Sequence, residues 1–211
     1  MLKNKIGITF LGDSIMKYKN NSPNTSWLIK IKKKLQNDYK KKISIYSCQR
    51  VGLNSRGLLN LISNFFIKIK YKNILIIQIG INDSWYYKSM KGLPEVGINS
   101  YKLNLEEIYK KSKISGFKKI IFLNYHKLLN DRIEINKKSL NSNLNIYMKE
   151  LSTFCKKKKI FLIDIKKKSI GKKNFCLPMP DGIHINNNGA KIYTEIVYKY
   201  LNDLINAKKN I

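Results

Sequence analysis

The chain alternates between short apolar runs and longer amphipathic stretches. The apolar runs are rich in β-branched and aromatic residues and have the length of strands; they are Ile6–Leu11, Ile43–Ser47, Ile74–Ile79, Lys119–Tyr125 and Ile160–Ile165. Helical patterns fall between and after these runs, over Ser22–Tyr39, Ser55–Ile69, Asn99–Ser115, Lys137–Lys157 and Asn188–Ile205. The first helix is predicted to start at Ser22-Pro23, because serine is a common N-cap and proline suits the first helical position.

Five strands that alternate with helices predict a doubly wound, three-layer α/β/α fold with a five-stranded parallel sheet. The run Ile74–Ile79 is apolar almost throughout, which is typical of a strand covered on both faces. At 211 residues the chain is long enough to bury a substantial core. No linker rich in proline, glycine or serine divides it, so we expect one domain over residues 1–211.

Composition narrows the class of protein. A content of 43% hydrophobic residues is typical of a globular protein. The sequence has no apolar run of the roughly 18–20 residues that span a membrane. The first apolar run begins at Ile6 and leads into Gly-Asp-Ser rather than a signal-peptide cleavage site, so a cytoplasmic location is expected. Three widely spaced cysteines (Cys48, Cys155 and Cys176) without a CxxC pair argue against a disulfide framework or a zinc site.

The net charge of +29 has two interpretations. It could indicate an anionic partner such as nucleic acid or lipid headgroups. However, only Arg50, Arg56 and Arg132 among the 42 basic residues are arginine, and asparagine and isoleucine are abundant as well. Nucleic-acid binding usually relies more on arginine, which contacts phosphates and bases in bidentate fashion. A compositional origin of the charge is therefore favoured over a dedicated polyanion site.

Candidate chemistry follows the predicted strands. In an open parallel sheet, ligands gather at the carboxyl ends of the strands. Ser14 follows the first strand, Gly52 the second and Asn82 the third, while Asp181 and His184 precede the last helix. A histidine can activate a serine hydroxyl at neutral pH, and a carboxylate three residues away can orient its imidazole. The N–H groups of Ser14 and Gly52 and the Asn82 amide could stabilise an oxyanion. The set suits acyl transfer.

These segments resemble the SGNH hydrolases, also called GDSL-type esterases, over nearly the full chain. "FLGDSI" resembles the first family block, "VGLNSRGLL" the second, "IQIGIND" the third and "DGIHINNNGAKIY" the fifth. The resemblance implies a flavodoxin-like fold and hydrolysis of an ester, thioester or O-acyl bond without a metal or organic cofactor. It also implies Ser14 as nucleophile and Gly52 and Asn82 in the oxyanion hole. We expect a small acylated substrate with a short acyl group, carried by a carbohydrate or lipid.

Several roles stay open at the level of sequence. Arg50, Trp85 and Tyr86 are candidates for a substrate pocket, with a solvated arginine and core aromatic residues as the alternatives. Asp13 and Asp83 are expected to bond loop N–H groups, and His126 is expected in a loop or pocket rather than as the base. An acyltransferase would use the same triad. A receiver-like domain, with Asp13, Asp83 and Lys166 at its strand ends, and a polyanion-binding module are the non-catalytic alternatives.

Overall fold

The computed structural model describes residues 5–17, 26–87, 91–171 and 174–207. The strands are β1 (Ile6–Gly12), β2 (Ile43–Gln49), β3 (Ile74–Gln78), β4 (Lys119–Leu123) and β5 (Phe161–Ile163). The helices are α1 (Trp27–Tyr39), α2 (Ser55–Ile67), α3 (Ile98–Ile114), α4 (Leu140–Lys157), α5 (Ile165–Lys168) and α6 (Asn187–Ala207). One 3₁₀ turn, Lys40–Lys42, joins α1 to β2.

All five strands form one parallel sheet in the order β2-β1-β3-β4-β5. Helix α1 packs against α6, whereas α2, α3 and α4 pack in series, which agrees with right-handed crossovers to opposite faces of the sheet. The predicted α/β/α fold is therefore confirmed. The strand order reverses between β1 and β3, and in this topology ligands bind outside the carboxyl ends of the strands at that point.

The core lies on both faces of the sheet, and the neighbouring strands β1 and β3 are buried almost throughout. Every residue of β3 is buried, as its apolar sequence predicts, and in β1 only Ile6 is partly exposed. Helices contribute one apolar side each; α1 buries Trp27, Ile31 and Leu35 among others. Trp27 stacks on Tyr193 of α6 with ring centroids 5.6 Å apart, which ties the first and last helices together. The central strands are thus held rigidly, and the loops at their ends begin from fixed positions.

Two helices begin later than the hydrophobic pattern predicts. The predicted Ser22-Pro23 start lies outside the described residues; α1 begins at Trp27, and Ser26 caps it by accepting a hydrogen bond from the Ile29 N–H at 3.3 Å. Helix α4 begins at Leu140 rather than at Lys137, because Lys137 has a left-handed backbone with φ of 60°. Its N-cap is Ser139, whose hydroxyl accepts from the Ser142 N–H at 3.2 Å.

The fifth strand is shorter than the predicted Ile160–Ile165. Asp164 ends it by capping the short helix α5, accepting a hydrogen bond from the Lys167 N–H at 2.9 Å. The periodicity does not indicate α5, because a single turn is too short to show a helical repeat. A capping aspartate is the one local signal for it.

Gly7 in β1 provides a test of the close packing at the amino edge of the sheet. A Cβ at this position would lie 1.8 Å from the Tyr71 carbonyl oxygen, so Gly7→Ala forces the backbone apart. We predict a loss of about 1–3 kcal/mol or more in the free energy of unfolding, measured by urea denaturation. The matched control is Gly97→Ser at the N-cap of α3, where an added Cβ meets no atom within 4 Å. Equal stability of the two variants would contradict this packing.

Candidate active site

Ser14 lies in a tight turn directly after β1. The Asp13 carbonyl accepts hydrogen bonds from the N–H groups of Met16 and Lys17, both at 3.2 Å, and the Asp13 carboxylate accepts from the Ile15 N–H at 2.9 Å. The turn thus closes around Asp13 and leaves Ser14 half-buried at the carboxyl edge of the sheet. The serine hydroxyl is accessible while its backbone is fixed.

Three side chains from two distant segments meet at this edge. His184 Nε2 lies 2.9 Å from Ser14 Oγ, and His184 Nδ1 lies 3.1 Å from Asp181 Oδ2 and 3.2 Å from Asp181 Oδ1. A carboxylate only accepts, so Nδ1 carries the proton in this arrangement, and Nε2 accepts from the serine hydroxyl. The side chains of His184 and Asp181 are 18% and 11% exposed, which shields their contact from water.

Asp181 also shapes the loop that carries the histidine. Its Oδ1 accepts backbone hydrogen bonds from Ile183 N–H at 2.9 Å and from His184 N–H at 2.7 Å. The same carboxylate therefore binds both the main chain and the imidazole of His184. The Asp-x-x-His spacing makes this possible, because the two residues lie on one side of a single turn.

The loops after β2 and β3 are hydrogen-bonded to each other beside the end of β1. Arg50 N–H donates to the Gly12 carbonyl at 3.2 Å, and the Asn82 side-chain amide donates to the Leu53 carbonyl at 2.9 Å. Gly52 lies between these two contacts, is exposed and has φ of 70°, a conformation that favours glycine. Ser14, Gly52 and Asn82 thus occupy three connected segments at one edge. Asn82 keeps one amide hydrogen beyond its bond to Leu53.

Asp13 and Asp83 are buried and accept hydrogen bonds from N–H groups of these loops, as predicted for short acidic side chains. Asp83 accepts hydrogen bonds from the N–H of Ser55, at 3.0 Å, and from its hydroxyl; Asp13 accepts from the hydroxyl of Tyr125. Burial raises the pKa of Asp13 to about 7 and that of Asp83 to about 6, although hydrogen bonds to each carboxylate oppose the shift. Neither carboxyl is accessible, which disfavours the receiver-like alternative.

Lys166 gives no support to that alternative either. Its ammonium group donates to Asn145 of α4 at 2.6 Å, and its side chain is exposed. A receiver domain needs its acidic and basic groups together at the strand ends, whereas here both acids are buried within hydrogen bonds.

His126 has a different environment from His184. It is 2% exposed, Nε2 lies 2.9 Å from the Ile183 carbonyl oxygen, and Nδ1 lies 3.1 Å from the Tyr193 hydroxyl. Burial lowers its pKa to about 4. Both ring nitrogens are occupied by groups other than Ser14, so His184 is the histidine that contacts the serine.

The predicted pocket residues follow β2 and β3 at the same edge. Arg50 is exposed, whereas Trp85 is half-buried, packs edge-on against Tyr87 at 5.7 Å and lies under Arg132 at 5.6 Å. The Tyr86 N–H donates to Glu134 at 3.1 Å. Trp85 and Tyr86 thus follow Asn82 in the loop after β3, and a substrate-binding role for Arg50, Trp85 and Tyr86 stays a prediction.

The structure has a separate cleft of about 780 Å³. It is walled by residues after β4 and β5 together with the loop before α6, including His126, Leu129, Lys166, Ile170, Phe175 and Pro178. Ser14 and His184 do not line it. In the described ranges, no three His, Cys, Asp or Glu side chains are grouped as a metal site would require.

Partners inside the loops are what sequence reasoning misses. The sequence predicts Tyr125 at the end of a strand and Ser55 at the start of a helix, but it predicts no hydrogen-bond partner for either residue. Ser55 follows Asn54, the N-cap of α2, and a helix start is a favourable position for a carboxylate; that signal could have paired Asp83 with Ser55. Nothing in the sequence pairs Tyr125 with Asp13.

A serine, a histidine and an aspartate in this order of contact, at the switch point of an α/β sheet, define a serine hydrolase. The family model for GDSL-like lipase/acylhydrolase matches residues 8–197, which include all five predicted catalytic and oxyanion-hole residues. The chain therefore belongs to the GDSL-like lipase/acylhydrolase family and is an ester-hydrolysing enzyme. The predicted family resemblance is confirmed.

Solved structures with the same fold span almost the whole chain. A lipolytic G-D-S-L family protein from Veillonella parvula DSM 2008 is 16% identical with a TM-score of 0.69, covering 92% of this chain and 97% of its own. LAE5, an α/β hydrolase enzyme from the metagenome of Lake Arreo, is 15% identical with a TM-score of 0.73, covering 93% and 95%.

Axe2, an acetylxylan esterase from Geobacillus stearothermophilus, is 17% identical with a TM-score of 0.71, covering 94% of this chain and 95% of its own. No curated protein sequence matches this chain significantly. Across the described ranges, no helix is long and apolar enough to cross a membrane.

Asp13 provides a pH-dependent test of the loop architecture. Its pKa in the folded protein is raised to about 7 from a usual value of 3.8, so the folded state binds the proton more tightly than the unfolded state. Stability from this group is therefore lost as pH rises through roughly pH 4–7. Asp13→Asn removes this titration. We predict that the variant gains stability relative to wild type as pH rises from about 4 to about 7 in urea unfolding. A pH-independent difference would contradict the shift.

Proposed function

We propose that the protein hydrolyses a short acyl ester through a covalent intermediate on Ser14. The observation that carries the proposal is the continuous contact from Asp181 through His184 to Ser14, at 3.1 and 2.9 Å. A serine hydroxyl is a weak nucleophile, and it needs a base within hydrogen-bond reach. His184 is in that position, and Asp181 holds its tautomer and orientation.

The proposed reaction proceeds in two acyl transfers. Ser14 Oγ bonds to the acyl carbon while its proton passes to His184 Nε2, giving a tetrahedral oxyanion. Collapse breaks the bond to the leaving alcohol, which takes the proton from Nε2. Water then attacks the acyl-enzyme with His184 again as base, and the acid leaves as Ser14 regains its proton. In this scheme the Ser14 N–H, Gly52 N–H and Asn82 amide stabilise both oxyanions.

The proposed substrate is a small molecule with a short acyl group, and a carbohydrate is the favoured carrier. Acetylxylan esterases are among the structural neighbours, and solved variants of Axe2 include a serine-to-alanine and a histidine-to-alanine form described as catalytic mutants. Trp85 and Tyr87 follow Asn82 in the same loop and pack against each other, and aromatic faces suit sugar rings. We propose that the chain acts as one domain in the cytoplasm, where its three free cysteines would stay reduced.

Replacement of Ser14 tests the mechanism. We predict that Ser14→Ala lowers kcat for an aryl acetate by a factor on the order of 10³–10⁶, because neither acyl transfer can occur without the nucleophile. The control is Ser152→Ala, an exposed serine on α4, which should keep wild-type turnover and the same melting temperature. Ester turnover that survives both Ser14→Ala and His184→Ala would exclude the mechanism.

An acyltransferase is the second candidate, because the acyl-enzyme can pass its acyl group to an alcohol as well as to water. The same assay distinguishes the two when a sugar alcohol is added and products are separated by mass. A hydrolase forms free acid in proportion to aryl release, whereas a transferase forms the new ester in its place.

A further inference from the structure

His126 is a buried histidine that the proposed reaction does not use. Its side chain packs against Phe175, with ring centroids 5.0 Å apart, and edge-on against Tyr193 at 5.8 Å. Burying an imidazole between two aromatic rings sacrifices the hydration of a polar ring, and its two nitrogens must find partners inside the protein. Both do so, and the partners fix which nitrogen carries the proton.

The partners form a chain of hydrogen bonds that runs in one direction. The Ile183 carbonyl can only accept, so His126 Nε2 must donate to it, at 2.9 Å. Nδ1 of the neutral ring is then an acceptor and receives the Tyr193 hydroxyl proton, at 3.1 Å. The Tyr193 oxygen accepts in turn from the Gln78 amide at 3.2 Å, and the Asn124 carbonyl fixes that amide's orientation at 3.1 Å.

We call this chain of Gln78, Tyr193, His126 and the Ile183 carbonyl the imidazole relay. Its members come from β3, α6, the loop after β4 and the loop before α6. Every donor in it has an acceptor, and only the Gln78 Oε1 atom, at the far end from Ile183, has no hydrogen-bond partner among the described residues. The lowered pKa of His126 keeps the ring neutral near physiological pH, so the direction of the relay does not change there.

The relay ends on the peptide unit that carries the proposed base. The Ile183 carbonyl and the His184 N–H belong to the same planar peptide group. His126 binds its carbonyl end, and Asp181 Oδ1 binds its N–H end at 2.7 Å. A planar group held at both ends cannot rotate about its flanking bonds, so the Cα of His184 and the direction of its imidazole toward Ser14 are fixed from two sides.

We propose that His126 is a positioning residue for the proposed base, acting through the Ile183–His184 peptide group. It holds the His184 imidazole in line with Ser14, while Asp181 holds the other end of the same group. This proposal rests on the proposed function, since it assigns His126 a part in aligning that triad. Misplacement of a reacting group by about 1 Å can lower a rate on the order of 10²-fold.

Two substitutions separate alignment from packing. His126→Phe keeps an aromatic ring against Phe175 and removes both hydrogen bonds. His126→Gln places an amide N–H where Nε2 lies and restores the bond to the Ile183 carbonyl. We expect kcat for an aryl acetate to fall about 10- to 100-fold in His126→Phe with KM nearly unchanged, and to stay within about threefold of wild type in His126→Gln.

Tyr193→Phe tests the direction of the relay. It removes the hydroxyl that fixes the His126 tautomer, so it should lower kcat less than His126→Phe does. In the His126→Gln background it should have no further effect on kcat, because glutamine offers no acceptor at the position of Nδ1. A kcat for His126→Phe within twofold of wild type, at a temperature where the variant is fully folded, would overturn the proposal.

A measurement without substrate tests the positioning of His184 by His126 separately from ester turnover. The sequence contains only two histidines, so imidazole ¹⁵N spectra of the labelled protein contain two ring systems that the variants assign. Wild type should show His126 as the Nε2–H tautomer and His184 as the Nδ1–H tautomer. In His126→Phe the His184 signals should shift and broaden, and in His126→Gln they should return.

The combined outcomes distinguish the two proposals. If wild type has no ester turnover while the ¹⁵N spectra behave as expected, the proposed function fails and the positioning of His184 by His126 stands. If His126 is the Nδ1–H tautomer, or if the His184 signals are unchanged in His126→Phe, the positioning proposal fails whatever the turnover.

Discussion

The contact between Ser14 Oγ and His184 Nε2 joins residues 170 positions apart, and it exists only because two loops are each fixed independently. The first follows β1, a central strand buried on both sides of the sheet. The second precedes α6, a 21-residue helix that packs against α1 on the same face. Parallel strands place all their carboxyl ends at one edge, so the fold brings the two loops to the same place. The hydrogen bonds within each loop then set the final distance.

Hydrogen bonds to buried carboxyl groups fix the conformations of the loops at the site. Asp13 closes the serine turn and accepts a hydrogen bond from Tyr125 in the loop after β4, while Asp83 holds the start of α2. Each carboxyl is displaced from water and has a raised pKa, so these braces are costly in their charged form. A loop held by such groups has few alternative conformations, since any shift leaves a buried acceptor without its donor. This rigidity suits a site that must stabilise charge at fixed positions.

Much of this arrangement is predictable from sequence, for identifiable reasons. The strands and long helices follow from periodicity, because burial of one face leaves a repeat of two or 3.6 residues. Ser14 and Asn82 follow from their positions at strand ends, and the Asp181–His184 pair follows from its position before the last helix, since the topology brings these positions to one edge. Helix α5 leaves no such repeat, and its one local signal, the capping residue Asp164, lies within the apolar run that is predicted as the fifth strand.

The hydrophobic pattern does not predict which side chains form hydrogen bonds across the sheet. The bond between Tyr125 and Asp13 spans 112 residues, and the bond between His126 and the Ile183 carbonyl spans 57. Periodicity tells which face a residue occupies but not which rotamer it adopts or which atom it meets. The net charge of +29 poses the same problem. The composition gives the charge, but it does not identify a binding partner for the lysine side chains.

In the proposed reaction Ser14 is a nucleophile that His184 activates. Labelling with a fluorophosphonate, in which a serine oxygen bonds to phosphorus and displaces fluoride, tests this role when it is followed by peptide mapping. We expect a single adduct on the peptide that contains Ser14, formed much more slowly in His184→Ala. Labelling at another serine, or equal labelling rates in wild type and His184→Ala, would contradict it.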